Sequence, residues 1–250
     1  MKSSILATAS FGIIHIFVST IKASKHFIEA SSRMSDQEII EKTAAFVKSE
    51  LKNAEGGHDW WHIERVWKNA KTIAQTEPVN LFVVELAAIL HDIADSKFNG
   101  GDETIGVEKA SVFLRSLSVD QSVISHVGGI IANISFGGGN VKHDFFSLEF
   151  AVVQDADRLD ALGAIGIART FNYGGFKGRE LYNPSVKPAL GMTKEEYKSS
   201  SAPTINHFYE KLLLLKDRMN TATGRKMAEQ RHQFMERYLS QFFREWDGVE

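Results

Sequence analysis

LFVVELAAILHD, the sequence from residue 81 to residue 92, predicts the centre of the fold. From Leu81 to Leu90 the side chains are apolar around nearly the whole circumference of a helix, and such a helix is buried inside a protein. His91 and Asp92 follow at its end. Two strongly polar side chains at that point either reach solvent or need a partner, and a metal ion is one such partner. The stretch therefore predicts a central helix that carries a His-Asp pair to the surface or to a metal site.

The overall composition is that of an ordinary globular protein. The 250 residues suffice for one large domain, and the apolar fraction of 43% and charged fraction of 24% are typical of such domains. The formal net charge of −2 gives no support for binding to a nucleic-acid polymer. The sequence contains no cysteine, which excludes disulfides, thiolate nucleophiles, zinc-thiolate sites and iron–sulfur clusters. Because the net charge of the chain is slightly negative, an anionic substrate must be bound by local positive charge or by a metal ion.

The first 34 residues differ in character from the rest. Lys2 precedes a mostly apolar run from Ile5 to Ile21, which resembles a weak signal peptide or a short anchor. The run is marginal for a membrane-spanning helix, which needs about 20 strongly apolar residues. We expect residues 1–34 to be an extension or a leader, signal-like or disordered, ahead of a domain at residues 35–250. We expect a cytoplasmic protein, and secretion, organellar targeting or membrane anchoring are alternatives that depend on this segment.

Helical patterns continue through the remaining sequence. Ser35 followed by Glu38 is a capping-box pattern, and Asp59 can cap a second helix. Further helical stretches are predicted near residues 104–117, 120–134, 147–171, 204–219 and 223–246. No alternation typical of strands accompanies them. The sequence therefore predicts an all-α fold of about eight helices packed around the apolar helix Leu81–Leu90.

Two further side chains are candidate metal ligands. His62 shares a predicted helical face with Val66 and points inward, although a lone inward histidine is more often a hydrogen-bonded core residue than a ligand. Asp157 lies within AVVQDADRLDAL, residues 151–162, where apolar residues surround repeated carboxylates. Asp155 falls on another face of the same helix, so we expect it to cap a helix or form a salt bridge. Nitrogen and oxygen ligands gathered from separate helices suit a divalent metal that activates water for hydrolysis.

Three segments resemble the HD-domain metal-dependent phosphohydrolase superfamily, and in particular its small stand-alone bacterial and plant branch. They are HDWWHIERVWKNA at residues 58–70, ELAAILHDIADSKF at 85–98 and VVQDADRLDALGAIGIART at 152–170. The resemblance extends from Ser35 to Trp246. It implies that the family's ordered ligand pattern falls on His62, His91, Asp92 and Asp157.

The resemblance implies one divalent metal ion held by these four side chains, with water completing the coordination. Manganese is the ion that we expect, and magnesium, nickel or cobalt are compatible with the same nitrogen and oxygen donors. A second metal is not expected. The reason is that residues 133–135, Asn-Ile-Ser, stand where longer family patterns often carry a further histidine.

Four other side chains have roles that the resemblance suggests. Asp95 lies three residues beyond Asp92, about one helical turn, and is the expected general base. Lys97 and Arg158 are expected to bind a substrate phosphate, although each could instead form a surface salt bridge. We expect His58 to hydrogen-bond a metal ligand or the leaving group.

The function that this resemblance implies is hydrolysis of a small nucleotide. Members of the branch suggest cleavage of a nucleoside triphosphate to the monophosphate and pyrophosphate by metal-activated water. The same site could remove the phosphate of a 5′-monophosphate, and a non-catalytic nucleotide-binding regulatory module is a further alternative. The expected partner is a small phosphorylated substrate, and assembly into a homodimer is compatible with the sequence.

Overall fold

The computed structural model of the chain describes residues 34–52, 59–93, 104–134, 145–193, 196 and 199–249. Within these ranges the secondary structure is entirely helical, which confirms the predicted all-α fold. The described α-helices are α1 Asp36–Glu50, α2 Trp60–Ala74, α3 Leu81–Leu90, α4 Thr104–Ser116, α5 Gln121–Asn133, α6 Leu148–Asp160, α7 Gly163–Phe176, α8 Asn206–Glu210 and α9 Ala222–Trp246. Two 3₁₀ helices, Leu212–Leu214 and Lys216–Arg218, connect α8 to α9.

The domain boundary predicted at residue 34 stays a prediction, because residues 1–33 lie outside the described part of the chain. From Ile40 onward the described residues belong to one compact unit. Of the helices that the structure describes, none is both long enough and apolar enough to cross a membrane.

The first two helices begin at the side-chain caps predicted from the sequence. The backbone N–H of Ser35 donates to the Glu38 carboxylate at 2.8 Å, and the N–H of Glu38 donates to Ser35 Oγ at 3.3 Å, which completes a capping box. At the start of α2, Asp59 accepts a hydrogen bond from the backbone N–H of His62 at 2.9 Å. This cap fixes where α2 begins and holds the backbone of His62 in the first turn of the helix.

The central helix is α3, which packs against α2, α5 and α6. Its residues from Val83 to Leu90 are all buried. Each fully buried leucine or isoleucine contributes about 1.5–3 kcal/mol to folding. The single charge in this run is Glu85, whose carboxylate accepts a hydrogen bond from Trp67 Nε1 at 2.7 Å and lies 3.6 Å from Lys71 Nζ. The partners from α2 thus compensate the one ionised group on the central helix.

The prediction of one continuous helix at residues 147–171 is wrong, because the structure has two helices there, α6 and α7, separated by a turn. Gly163, the first residue of α7, has a φ of +72°, in the left-handed region that favours glycine. A Cβ atom at Gly166 would lie 2.2 Å from the carbonyl oxygen of Ala161. Glycine at this position therefore allows α7 to approach the backbone of Ala161 closely. The turn directs α7 away from the axis of α6.

The predicted helix at residues 204–219 is also wrong, because α8 is followed there by the two 3₁₀ helices. The apolar residues of this segment are buried at alternating steps of three and four: Ile205, Phe208, Leu212, Leu215 and Met219. That spacing fits an α-helix and a chain of short helical turns equally well. This segment places the residues that precede α9 next to α6, where their backbone N–H groups reach Asp155.

A buried carboxylate on α6, that of Asp155, fixes the start of α9. It accepts hydrogen bonds from the backbone N–H of Asn220 at 2.9 Å and of Thr221 at 2.8 Å, and from Thr221 Oγ1 at 2.8 Å. Thr221 Oγ1 in turn accepts from the N–H of Gly224 at 3.0 Å and caps α9. Burial raises the pKa of Asp155, and the hydrogen bonds from Asn220 and Thr221 oppose that rise. The expected capping role of Asp155 therefore extends to a different helix.

We predict that Asp155→Ala lowers the free energy of unfolding by about 3 kcal/mol, because buried backbone donors lose their acceptor. Urea denaturation of the full chain measures this. The control is Asp247→Ala at the exposed C-terminal cap of α9, which should change the free energy by less than about 0.5 kcal/mol. Equal effects of the two substitutions would contradict the role given to Asp155.

Candidate metal centre

Three of the predicted ligands meet where α2 approaches the end of α3. His62 comes from α2, and His91 and Asp92 directly follow α3. One ligand atom from each of the three side chains lies within 4.8 Å of the others. The two imidazole rings are 5.3 Å apart between centroids, at an interplanar angle of 68°. Nitrogen and oxygen atoms at this spacing can bind a single divalent cation.

The fourth predicted ligand, Asp157 on α6, lies beside the same three side chains. Its Oδ1 atom is 3.5 Å from His62 Nε2 and 3.8 Å from His91 Nε2. The histidine side chains are 3% and 5% exposed, whereas that of Asp157 is 36% exposed. The cluster therefore has a closed side formed by the two imidazoles and a side near Asp157 that solvent reaches.

Both histidines have the orientation that metal binding through Nε2 requires. His62 Nδ1 lies 2.8 Å from Asp160 Oδ2, and His91 Nδ1 lies 2.9 Å from the carbonyl oxygen of Ala88. A carbonyl oxygen and an ionised carboxylate can only accept, so each Nδ1 carries the proton. Each Nε2 is then left as the lone-pair donor that faces the cluster. The four side chains thus fit a divalent cation in both donor type and protonation.

The carboxylate that orients His62 is buried and ion-paired. Asp160 accepts hydrogen bonds from Arg65 Nε at 2.6 Å, Arg65 Nη2 at 2.9 Å and Arg169 Nη1 at 2.8 Å. Burial alone would raise the pKa of Asp160, but the hydrogen bonds from His62 and Arg65 and the charge of Arg169 keep it well below its ordinary value. Burial lowers the pKa of His62, and the bond to Asp160 offsets this only in part. We conclude that Asp160 is ionised and His62 is neutral.

Sequence reasoning did not assign this role to Asp160. The available signal was its position three residues after Asp157, on nearly the same face of α6. What the sequence lacks is any indication that Arg65, from α2, and Arg169, from α7, would converge on that carboxylate.

The remaining predicted site residues have different outcomes. His58, Asp95 and Lys97 lie outside the described residues, so their roles stay predictions. Arg158 is described, and its Nη1 atom donates to the carbonyl oxygen of Arg218 and lies 3.9 Å from Asp155 Oδ1. Its side chain is 18% exposed. In this conformation Arg158 joins α6 to the segment before α9, and its predicted phosphate contact stays a prediction.

We predict that Asp160→Asn weakens metal binding by about ten- to a hundredfold, because a carboxamide cannot hold the His62 tautomer as a carboxylate does. Competition with a metallochromic chelator measures the affinity. Asp247→Asn is the matched control and should leave it unchanged. Thermal unfolding of the metal-free proteins separates loss of metal affinity from loss of folding. Unaltered affinity in a folded Asp160→Asn protein would contradict the role of Asp160.

The chain is similar to a known protein family and to a bacterial protein over most of its length. The pattern of the HD domain family matches residues 60–162, a range that contains His62, His91, Asp92 and Asp157. The protein YpgQ of Bacillus subtilis strain 168 is 37% identical over 220 residues, which cover 87% of this chain and 98% of YpgQ.

Solved structures show the same similarity. The crystal structure of an HD-superfamily hydrolase from Bacillus thuringiensis has 46% sequence identity and a TM-score of 0.69, with 85% of this chain and 99% of that chain covered. A crystal structure of Bacillus subtilis YpgQ in complex with ADP has 36% identity and a TM-score of 0.68, with 85% and 97% covered. Together with the ligand cluster, these similarities show that the chain belongs to the HD-domain family of metal-dependent phosphohydrolases.

Proposed function

We propose that this protein hydrolyses a small nucleotide, cleaving a nucleoside triphosphate to the monophosphate and pyrophosphate. The observation that carries the proposal is the convergence of His62, His91, Asp92 and Asp157, with both Nδ1 atoms engaged elsewhere. The complex of Bacillus subtilis YpgQ with ADP supports a nucleotide as the substrate class.

The four side chains would hold one divalent cation. Two neutral imidazoles and two carboxylates carry a combined charge of −2, which matches a dication. We propose manganese as the ion, and magnesium, nickel or cobalt fit the same donors. When bound, such an ion lowers the pKa of a coordinated water and polarises a phosphoryl oxygen.

The protein groups then position the reactants. We assign the approach of substrate to the side of Asp157, because its carboxylate is far more exposed than the two imidazoles. Asp95 would accept the proton of the attacking water. The water oxygen forms a bond to the α-phosphorus, the bond from that phosphorus to the bridging oxygen breaks, and pyrophosphate leaves with the bonding electron pair.

Three further side chains complete the proposed site. Lys97 would bind the departing phosphates, and His58 would hydrogen-bond a metal ligand or the leaving group. Arg158 is a phosphate contact only after it exchanges its hydrogen bond to the Arg218 carbonyl for one to substrate.

We predict that the purified protein, assayed with manganese against nucleoside triphosphates and monophosphates, releases pyrophosphate from triphosphates. Separate assays for pyrophosphate and inorganic phosphate distinguish the two reaction types. Release of phosphate from 5′-monophosphates alone would replace this proposal with a 5′-nucleotidase. Nucleotide binding without turnover for any divalent ion would replace it with a regulatory module.

We predict that His91→Ala and Asp157→Ala each reduce turnover by at least about a hundredfold, because each removes a donor to the ion. Initial rates with saturating manganese measure this, and metal content of the purified variants is determined in parallel. Asp247→Ala is the control for an exposed carboxylate far along the chain. Full turnover in either variant would remove that residue from the proposed ligand set.

A further inference from the structure

A concave site lies beside the Asp160 carboxylate, which also forms a hydrogen bond with His62 of the metal cluster. It is a cavity of about 350 Å³ between α2, the start of α7 and α9. Arg65 and Lys68 line it from α2, Ala164 from α7 and Arg231 from α9. The four proposed metal ligands do not line this cavity.

The side chains around the cavity carry an excess of positive charge. Three cationic groups line it, those of Arg65, Lys68 and Arg231, and two carboxylates are paired with them: Asp160 with Arg65, and Glu64 with Lys68. Asp160 is also paired with Arg169, so its single negative charge is shared between two guanidinium groups. An anion that entered the cavity would therefore be attracted chiefly by Arg231, the lining cation that has no carboxylate partner among the described residues.

Among the cations that line the cavity, Arg231 is distinguished by having only neutral hydrogen-bond acceptors. Its Nη1 atom donates to the carbonyl oxygen of Leu159, and its Nη2 atom donates to Asn69 Oδ1 at 3.1 Å. Both acceptors are neutral, and among the described residues no carboxylate forms a salt bridge with Arg231. Burial lowers the pKa of Arg231, and the nearby charge of Asp160 opposes this without forming a salt bridge with it. A bound anion would supply a direct counter-ion.

The first turn of α7 adds donors at the same place. Gly163, Ala164 and Ile165 all line the cavity, and the residue before them, Leu162, has no side chain that can cap the helix. The first turn of α7 also contains no acidic residue. Backbone N–H groups at a helix start carry partial positive charge and bind anions in other proteins. Here they add to the arginines and do not form the site alone.

We propose that this cavity binds a compact phosphoryl oxyanion, either inorganic phosphate or the phosphate group of a small ester, at a site outside the metal cluster. Guanidinium groups from α2 and α9 and backbone amide groups at the start of α7 are donor types that bind phosphate oxygens. The volume is at the lower end of small-ligand sites, which span about 300–1,000 Å³. Lys68 is free to turn toward such a ligand, since its side chain is 70% exposed and its present partner is a surface contact with Glu64.

The test uses equilibrium dialysis of radiolabelled inorganic phosphate against the full-length, metal-loaded protein. Ala164→Glu places a negative charge in the cavity wall, at a position where a carboxylate also favours the helix, so the variant should fold normally. We expect at least about a tenfold weaker affinity for phosphate in Ala164→Glu. The matched control is Ala168→Glu, an exposed site one turn along α7 that does not line the cavity, and it should bind as the unmodified protein does.

Two more variants make the result decisive. Lys68→Gln should weaken phosphate binding by about threefold or more, which tests the cavity without altering α7. Asp157→Ala should retain binding at the cavity, because Asp157 belongs to the metal cluster. Loss of binding in Asp157→Ala, with retention in Ala164→Glu and Lys68→Gln, would place phosphate at the metal and overturn the proposal. Absence of any phosphate binding, or equal weakening by Ala164→Glu and Ala168→Glu, would overturn it as well.

Discussion

The Asp160 carboxylate connects the packing of three helices to the metal cluster. It accepts hydrogen bonds from His62 on α2, Arg65 on α2 and Arg169 on α7, while its own backbone belongs to the end of α6. Removing a carboxylate from water costs several kcal/mol, and the two guanidinium groups together with the His62 N–H offset that cost. The orientation of His62 therefore depends on the same contacts that hold α2, α6 and α7 together.

The turn between α6 and α7 allows Arg169 to reach the Asp160 carboxylate. Arg169 Nη1 donates both to the Asp160 side chain and to the Asp160 backbone carbonyl oxygen, at 2.8 and 3.2 Å. Residues nine positions apart on one straight helix would be separated by about 13 Å along its axis. The positive φ of Gly163 lets the chain turn back so that the arginine reaches the carboxylate. The same turn places the start of α7 at the cationic cavity.

Three carboxylates on α6 have three separate tasks because successive helix residues are rotated by about 100°. Asp155 faces the start of α9, Asp157 faces the two imidazoles, and Asp160 lies behind His62. The helix caps were predictable because each depends on a short, local pattern, such as Asp59 before α2. The proposed ligands were identified by residue type and by the family resemblance, and the structure places three of them, His62, His91 and Asp92, close together. The role of Asp160 was not predictable, because its arginine partners come from other helices. Arg158 illustrates the same limit, since its acceptor, the Arg218 carbonyl, belongs to a segment whose apolar spacing does not distinguish α from 3₁₀ turns.

We propose that His62, His91, Asp92 and Asp157 bind one divalent cation. Anomalous X-ray diffraction from crystals grown with manganese measures this most directly. We expect a single peak in the cluster, within coordination distance of both Nε2 atoms and of an oxygen atom from each aspartate. A peak elsewhere with an empty cluster, or an ion bound without either Asp157 or His91, would contradict it.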